Sequence, residues 1–178
     1  MEISLIGYFA SALIFLSSAQ AYTGKDLLKG TSVQVPATGR KTTVLVFLSA
    51  KCPCSASHEE TLKKLHAEYN QSGFEFIGVH SNQDESETLT SAHFKSANFP
   101  FPIIEDEGAK LADEYKAVKT PHVFLIQNET IVFQGGVDDS AESANAHKNY
   151  LADALRELKS GQPVTVAKVR TLGCAIKR

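Results

Sequence analysis

Residues 42–48 read Thr-Thr-Val-Leu-Val-Phe-Leu, a continuous apolar and β-branched run without a charge. A strand with one wet face alternates apolar and polar side chains. A run without that alternation suits a central strand covered on both faces. Immediately after it comes Ala50-Lys51-Cys52-Pro53-Cys54-Ser55, and then Leu62, Leu65 and Tyr69 at helical spacing ahead of Gly73. Proline is suited to the first helical position, so the pattern predicts a helix that begins near residue 53 and ends before Gly73. A buried strand feeding straight into a helix is the constraint around which the rest of the chain must be arranged.

The remaining pattern extends that unit. A polar lead-in with Gly and Pro punctuation occupies residues 22–40. Residues 74–79 read as a second strand, 84–97 as a helix, 100–104 as a short extended piece and 108–117 as another short helix. Two strands, 123–126 and 131–133, are separated by Asn128-Glu129, a tight hairpin connection. Residues 144–159 carry Tyr150, Leu151, Ala154, Leu155 and Leu158 as a helical stripe that Gly161 closes. This order implies an α/β fold, a central mixed β-sheet flanked by helices on both faces.

Charge excludes one class of function. With 18 Lys and Arg against 20 Asp and Glu the chain has no basic excess to neutralise phosphates, which disfavours nucleic-acid binding. The N-terminus points to a compartment. Residues 3–17 are apolar but too short for a comfortable membrane span, and Ala19-Gln20-Ala21 has the small residues of a cleavage site. Residues 1–21 therefore read as a signal peptide, although Met1-Glu2 supplies no Lys or Arg before the apolar run. Residues 22–178 remain as one domain with a cysteine-containing tail. It is expected to be periplasmic or secreted, with no membrane association beyond the signal, in a compartment where disulfides persist.

The three cysteines carry the chemistry. Cys52, where strand becomes helix, would have unpaired backbone N–H groups and the helix dipole beside it. Both favour a thiolate, and Lys51 would add a cation. Cys54 follows two residues later, so on a helix its side chain would point roughly to the opposite side. It is either redox-active or a packed spectator. Cys174 lies in Leu172-Gly-Cys-Ala-Ile176, after a segment in which Val164, Val166 and Val169 suggest an extended strip that docks on the domain. The 13 steps from Gly161 to Cys174 reach up to about 43 Å, so the tail can bring its thiol to Cys52. His58 and His122 could join Cys52 and Cys54 as soft-metal ligands, but the spacing fits poorly and no metal is assigned. His66, His80, His93 and His147 are expected at the surface or at strand ends. Asn128-Glu-Thr130, a glycosylation sequon by pattern, reads as turn chemistry.

Several segments together carry a family likeness: Val46-Phe-Leu-Ser-Ala-Lys-Cys52-Pro-Cys-Ser55, Gly78-Val-His-Ser-Asn82, Phe101-Pro-Ile-Ile-Glu-Asp-Glu-Gly108, Lys119-Thr-Pro-His-Val-Phe-Leu-Ile126 and Leu172-Gly-Cys-Ala-Ile-Lys177. In these the chain resembles the thioredoxin-like superfamily. Within it, the chain resembles the redoxin group related to the alkyl hydroperoxide reductase and thiol-specific antioxidant proteins. The resemblance implies a thioredoxin-like fold, Cys52 as the attacking cysteine, and a cis Thr120-Pro121 bond facing it. That bond would offer a backbone edge to an extended substrate.

The departures are equally specific. Ser55 stands where a thioredoxin has its second cysteine, and Val46 lies near the place of the usual buried acid. Ser49 fits the Thr or Ser of a peroxiredoxin, but Leu45 replaces its proline and its active-site arginine has no counterpart. The resulting expectation is an exported thiol-disulfide oxidoreductase in which Cys52 is the nucleophile, Cys174 or Cys54 resolves it, and Thr120 and Pro121 bind substrate. No cofactor is expected. Its partners would be protein or small-molecule thiols and disulfides and a reducing or oxidising redox protein. A peroxiredoxin-like antioxidant peroxidase and a copper-binding metallochaperone are the alternatives.

Overall fold

The computed structural model describes residues 22–39 and 42–178. The expected signal peptide lies outside the described residues. Five strands form the central sheet in the order β5-β4-β3-β7-β8: β3 (Thr42–Leu48), β4 (Phe74–His80), β5 (Ile103–Glu105), β7 (His122–Gln127) and β8 (Thr130–Gly135). β3, β4 and β5 are parallel, whereas β7 pairs antiparallel with both β3 and β8, so the sheet is mixed, as the element order implies. β3 is central, and all seven of its residues are buried.

Side-chain alternation along the strands divides the interior in two. Val44, Val46 and Leu48 join Phe74, Phe76, Val123 and Leu125 on one face. Leu62 and Leu65 of α1 (Pro53–Tyr69), Phe94 of α2 (Glu87–Ser96) and Leu151 and Leu155 of α4 (Tyr150–Lys159) cover them. Leu45, Phe47, Ile77, Val79, Phe124 and Ile126 form the other face, beneath Leu111 and Ala112 of α3 (Lys110–Glu114) and Ile176 of the tail. Each fully buried aliphatic or aromatic side chain contributes about 1.5–3 kcal/mol, so this two-sided burial anchors β3 firmly.

Several elements differ from the sequence expectation, each for a local reason. The lead-in holds a short hairpin, β1 (Tyr22–Lys25) with β2 (Ser32–Val35), tied to β5 by Leu27 N–H donating to Ile103 O. α3 is shorter than residues 108–117, because Gly108 and Ala109 at its start and Lys116 at its end have positive φ. α4 begins at Tyr150, not near residue 144. Asp139 Oδ1 accepts the backbone N–H groups of His147 and Lys148, and Ala146 is extended, so only a single 3-10 turn forms at Ser143–Asn145. The hairpin at Asn128-Glu129 forms as expected, both residues having the positive φ of a type I′ turn. Among the described residues no helix is long and apolar enough to cross a membrane.

Candidate active site

β3 leaves the sheet at Leu48 and the chain turns through Ser49, Ala50 and Lys51 to Cys52, which caps α1. Its backbone is extended (φ −84°, ψ 114°), and its Sγ accepts the N–H of Ser55 at 3.4 Å. Ser55, fully buried, accepts the N–H of Ser49 on its hydroxyl and so closes the turn where a second thiol was missing. Facing Cys52 is the cis Thr120-Pro121 peptide that the resemblance implied. The Cys52 thiol, when protonated, donates to Thr120 O at 3.1 Å.

The third wall is the tail. β9 (Cys174–Ala175) pairs antiparallel with β6 (Lys119–Thr120), with Cys174 opposite Thr120. The Sγ atoms of Cys52, Cys54 and Cys174 lie within 4.8 Å of one another. All three thiols are free. Gly173 makes the approach possible: its φ is +144°, and a Cβ there would lie 2.0 Å from Thr120 O. Upstream, Gln134 N–H donates to Ala167 O and Val169 N–H returns a bond to Gln134 O, laying the strip along β8. Downstream, Ile176 is buried, Lys177 N–H donates to Asn82 Oδ1, Gln83 N–H donates to Lys177 O, and Arg178 pairs with Asp113.

Docking of the tail was expected, but its consequence at the neighbouring edge was not. The backbone edge beside Pro121, read from sequence as open to an extended substrate, carries the chain's own tail. Cys54 is also corrected, since it faces the other two sulfurs. The opposite-side expectation assumed helical geometry at Cys52, but Cys52 is an extended cap whose side chain folds back over the first turn. Lys51 is exposed and reaches away, donating to Asp84 O at 2.8 Å.

Other groups therefore tune the thiols. Burial pushes the Cys52 thiol up, but hydrogen bonds from Cys174, from Thr120 and from the Ser55 N–H outweigh it and bring it down to about 7. The Thr120 hydroxyl is buried with no conventional partner among the described residues, so its O–H is available to the sulfur. Cys174 gives its proton as a donor to Cys52 and is also partly desolvated beside that charge, which pushes it up to about 12. Cys54 is raised by burial and then by the Cys52 charge. The site is thus built for one thiolate, on Cys52, with protons kept on its neighbours.

Two polar clusters support this arrangement. Glu85, buried, accepts Ser49 Oγ at 2.5 Å, Ala50 N–H at 2.8 Å and Asn82 Nδ2 at 2.8 Å, and faces His80 Nε2 at 3.2 Å. Those hydrogen bonds hold the Glu85 carboxyl below its usual range despite burial, which alone would raise it. His80 is at a strand end as expected, but wholly buried, with Glu105 on its other nitrogen. Asn82 holds Glu85 with its amide nitrogen and Lys177 with its oxygen, linking the Cys52 turn to the tail. On the helix side, His58 donates from Nδ1 to Cys54 O at 2.6 Å and meets Asp138 at 3.0 Å through Nε2. Both nitrogens are engaged, so His58 is not free to be a ligand. His122 stacks on Phe124 on the α3 side of the sheet and does not join the sulfurs. Asn82 closes a segment that carried the family likeness but was given no role, and no sequence signal marked Glu85 or Asp138, whose bonds to Ser49 and His58 cross 36 and 80 positions.

Known proteins share this architecture. The family model described as Redoxin matches residues 17–153. The thiol-disulfide oxidoreductase ResA of Halalkalibacterium halodurans is 31% identical over 129 residues, 68% of this chain and 72% of that protein. Among solved structures, an uncharacterized conserved protein from Geobacillus kaustophilus superposes with a TM-score of 0.80 at 25% identity over 90% of each chain. StoA from Bacillus subtilis superposes with a TM-score of 0.58 at 19% identity, over 64% of this chain and 85% of that one. The tail that brings Cys174 to Cys52 lies beyond the residues the family model matches.

Proposed function

Because the chain belongs to the redoxin family of the thioredoxin-like superfamily, we propose that it is a thiol-disulfide oxidoreductase in which Cys52 attacks and Cys174 resolves. The observation that carries this reading is the meeting of a tuned Cys52 sulfur, at the start of α1, with a tail thiol inside 4.8 Å. In the reducing direction the Cys52 thiolate attacks one sulfur of a substrate disulfide. A bond forms from Cys52 to that sulfur as the substrate S–S bond breaks, and the first substrate thiolate leaves. Cys174 then gives up its proton to the departing thiolate and attacks Cys52 Sγ. The Cys52–Cys174 disulfide forms and the second substrate thiol is released. Two electrons have passed to the substrate, and a dithiol partner protein restores the enzyme. The same steps reversed oxidise a substrate dithiol.

Disulfide exchange fits the site better than peroxide reduction. Ser49 donates its hydroxyl to Glu85, and Lys51 is turned to Asp84 O, so neither is directed at an oxygen bound near Cys52. With the tail docked, Cys54 and Cys174 are half-exposed and Cys52 is buried behind them. An extended protein substrate pairing at Thr120 and Pro121 would first have to displace β9. The apolar run and Ala19-Gln20-Ala21 support export to an oxidising compartment outside the cytoplasm, after removal of residues 1–21.

Substitution tests the assignment. Cys174→Ser should accumulate mixed disulfides at Cys52 and lose repeated turnover, and Cys54→Ser should retain it. Mass mapping of the oxidised parent should find a Cys52–Cys174 bond. If Cys54→Ser traps the intermediate while Cys174→Ser turns over normally, the resolving role moves to Cys54.

A further inference from the structure

The three sulfurs make a second kind of chemistry available while all are reduced. Ligands at about 2.3 Å from a common ion stand roughly 3.8–4.0 Å apart in tetrahedral or trigonal arrangements. The present separations, within 4.8 Å, close to that with shifts of under about 1 Å. We infer that Cys52, Cys54 and Cys174 form a three-sulfur site for a thiophilic monovalent cation of the Cu(I) type.

The identity of the ion follows from the donor set. Thiolates select soft ions, and a structural zinc site takes four protein ligands. Here no histidine or carboxylate joins the sulfurs among the described residues: His58 is committed to Cys54 O and Asp138, and His122 lies on the other face. Three sulfurs without a fourth protein ligand complete the shell of a trigonal monovalent ion, whereas a zinc ion here would still need a water as its fourth ligand. Placement agrees: binding the ion displaces the Cys54 and Cys174 protons to solvent, and the resulting centre of three thiolates and one monovalent cation is anionic and sits at the N-terminus of a helix of 17 residues. Access agrees too: Cys52 is buried at the back, whereas Cys54 and Cys174 are half-exposed at the mouth.

The ligand set depends on the tail, which distinguishes this site from a sequence-local Cys-x-Cys pair. Gly173 allows the approach to Thr120 O, and the Ile176, Lys177 and Arg178 contacts hold it. Metal binding and disulfide exchange exclude one another. Oxidation of Cys52 and Cys174 by a substrate disulfide removes two of the three ligands, and a bound ion occupies the nucleophile.

The test is an anaerobic titration of the fully reduced protein with Cu(I) against a chromogenic Cu(I) chelator. One ion per chain is expected, with X-ray absorption showing three sulfur neighbours at about 2.3 Å. Cys54→Ser and Cys174→Ser should each weaken binding at least 100-fold. Gly173→Val keeps every thiol but lifts the tail, and should weaken binding comparably while circular dichroism shows the fold retained. Cu(I) binding by Cys174→Ser or Gly173→Val equal to the parent would overturn the three-sulfur site, as would more than one ion per chain. Zn2+ displacing Cu(I) at equal free concentration would overturn the choice of ion. Disulfide turnover by the metal-free protein is measured separately, so failure of this site and failure of the oxidoreductase reading give different results.

Discussion

Cys52 and Cys174 meet at one point but are held there by different means. Cys52 hangs from β3, whose residues are all buried, and its turn is clamped by the buried Glu85 carboxylate. Cys174 hangs from a tail in which Ile176 is the only buried residue between Gly161 and Arg178, the rest being held by backbone hydrogen bonds and surface pairs. The position of Cys52 is therefore backed by the stability of the whole domain, and that of Cys174 by a few local contacts. Local opening draws on the weakest such contacts, so the tail is expected to open before the sheet does. One half of the site is scaffold and the other is a removable part.

Substitutions on the sheet side should act on global stability. Glu85→Ala deprives the Ser49 hydroxyl, the Ala50 N–H, the Asn82 amide and His80 of an acceptor at once. A loss of about 3–5 kcal/mol is expected in denaturant melts, the range for breaking a buried charged cluster. A loss below 1 kcal/mol would show that the turn is held by other means. The second effect depends on pH. Burial, and then Lys168, push the His122 imidazole down to about 4, so the unfolded chain, with its histidine near 6.5, takes up the proton first. Stability from this residue is full above about 6.5, declines as pH falls, and is lost by about 4, a change of about 3 kcal/mol. His122→Gln should flatten that part of the stability curve. An unchanged slope would assign it to other groups.

On the tail side the same tools should register little. Ile176→Ala should lower global stability by no more than about 1 kcal/mol, less than a core truncation, because the chain can undock instead of unfolding. Hydrogen exchange at residues 174–177 should accelerate about tenfold all the same, and equal acceleration in β3 would contradict the division proposed here. Arg178→Ala, which removes an exposed pair with Asp113 and a hydrogen bond to Ala117 O, should cost less than about 1 kcal/mol in the same melts. A larger loss would mean that the tail is part of the cooperative core.

The division also explains what could be read in advance. The β3 run and Pro53 at the helix start are local signals, and both elements formed where they were expected. The β1–β2 hairpin was missed because its strands have four residues each and draw support from β5, far along the chain. In the tail, the alternation of Val164, Val166 and Val169 indicated docking. Yet Val166 is 50% exposed while Val164 and Val169 pack, so the strip docks without a regular strand pattern. Cys54 was misdirected by helical periodicity applied one residue too early. Glu85 lies 36 positions from Ser49, and no local pattern in a single sequence encodes that pairing.

The strap has a consequence for the chain as it is made. Cys52 and Cys174 are 122 positions apart in the sequence, and contacts of such separation are among the slowest to form in folding. Until they form, Cys52 lacks the Cys174 and Thr120 hydrogen bonds that bring it to about 7 and titrates as an ordinary thiol near 8.5. A newly synthesised chain thus carries a smaller thiolate fraction at Cys52 through its most exposed stage than the folded protein does. The full thiolate population arrives only when the strap closes, so its appearance tracks the last and longest-range contact of the fold.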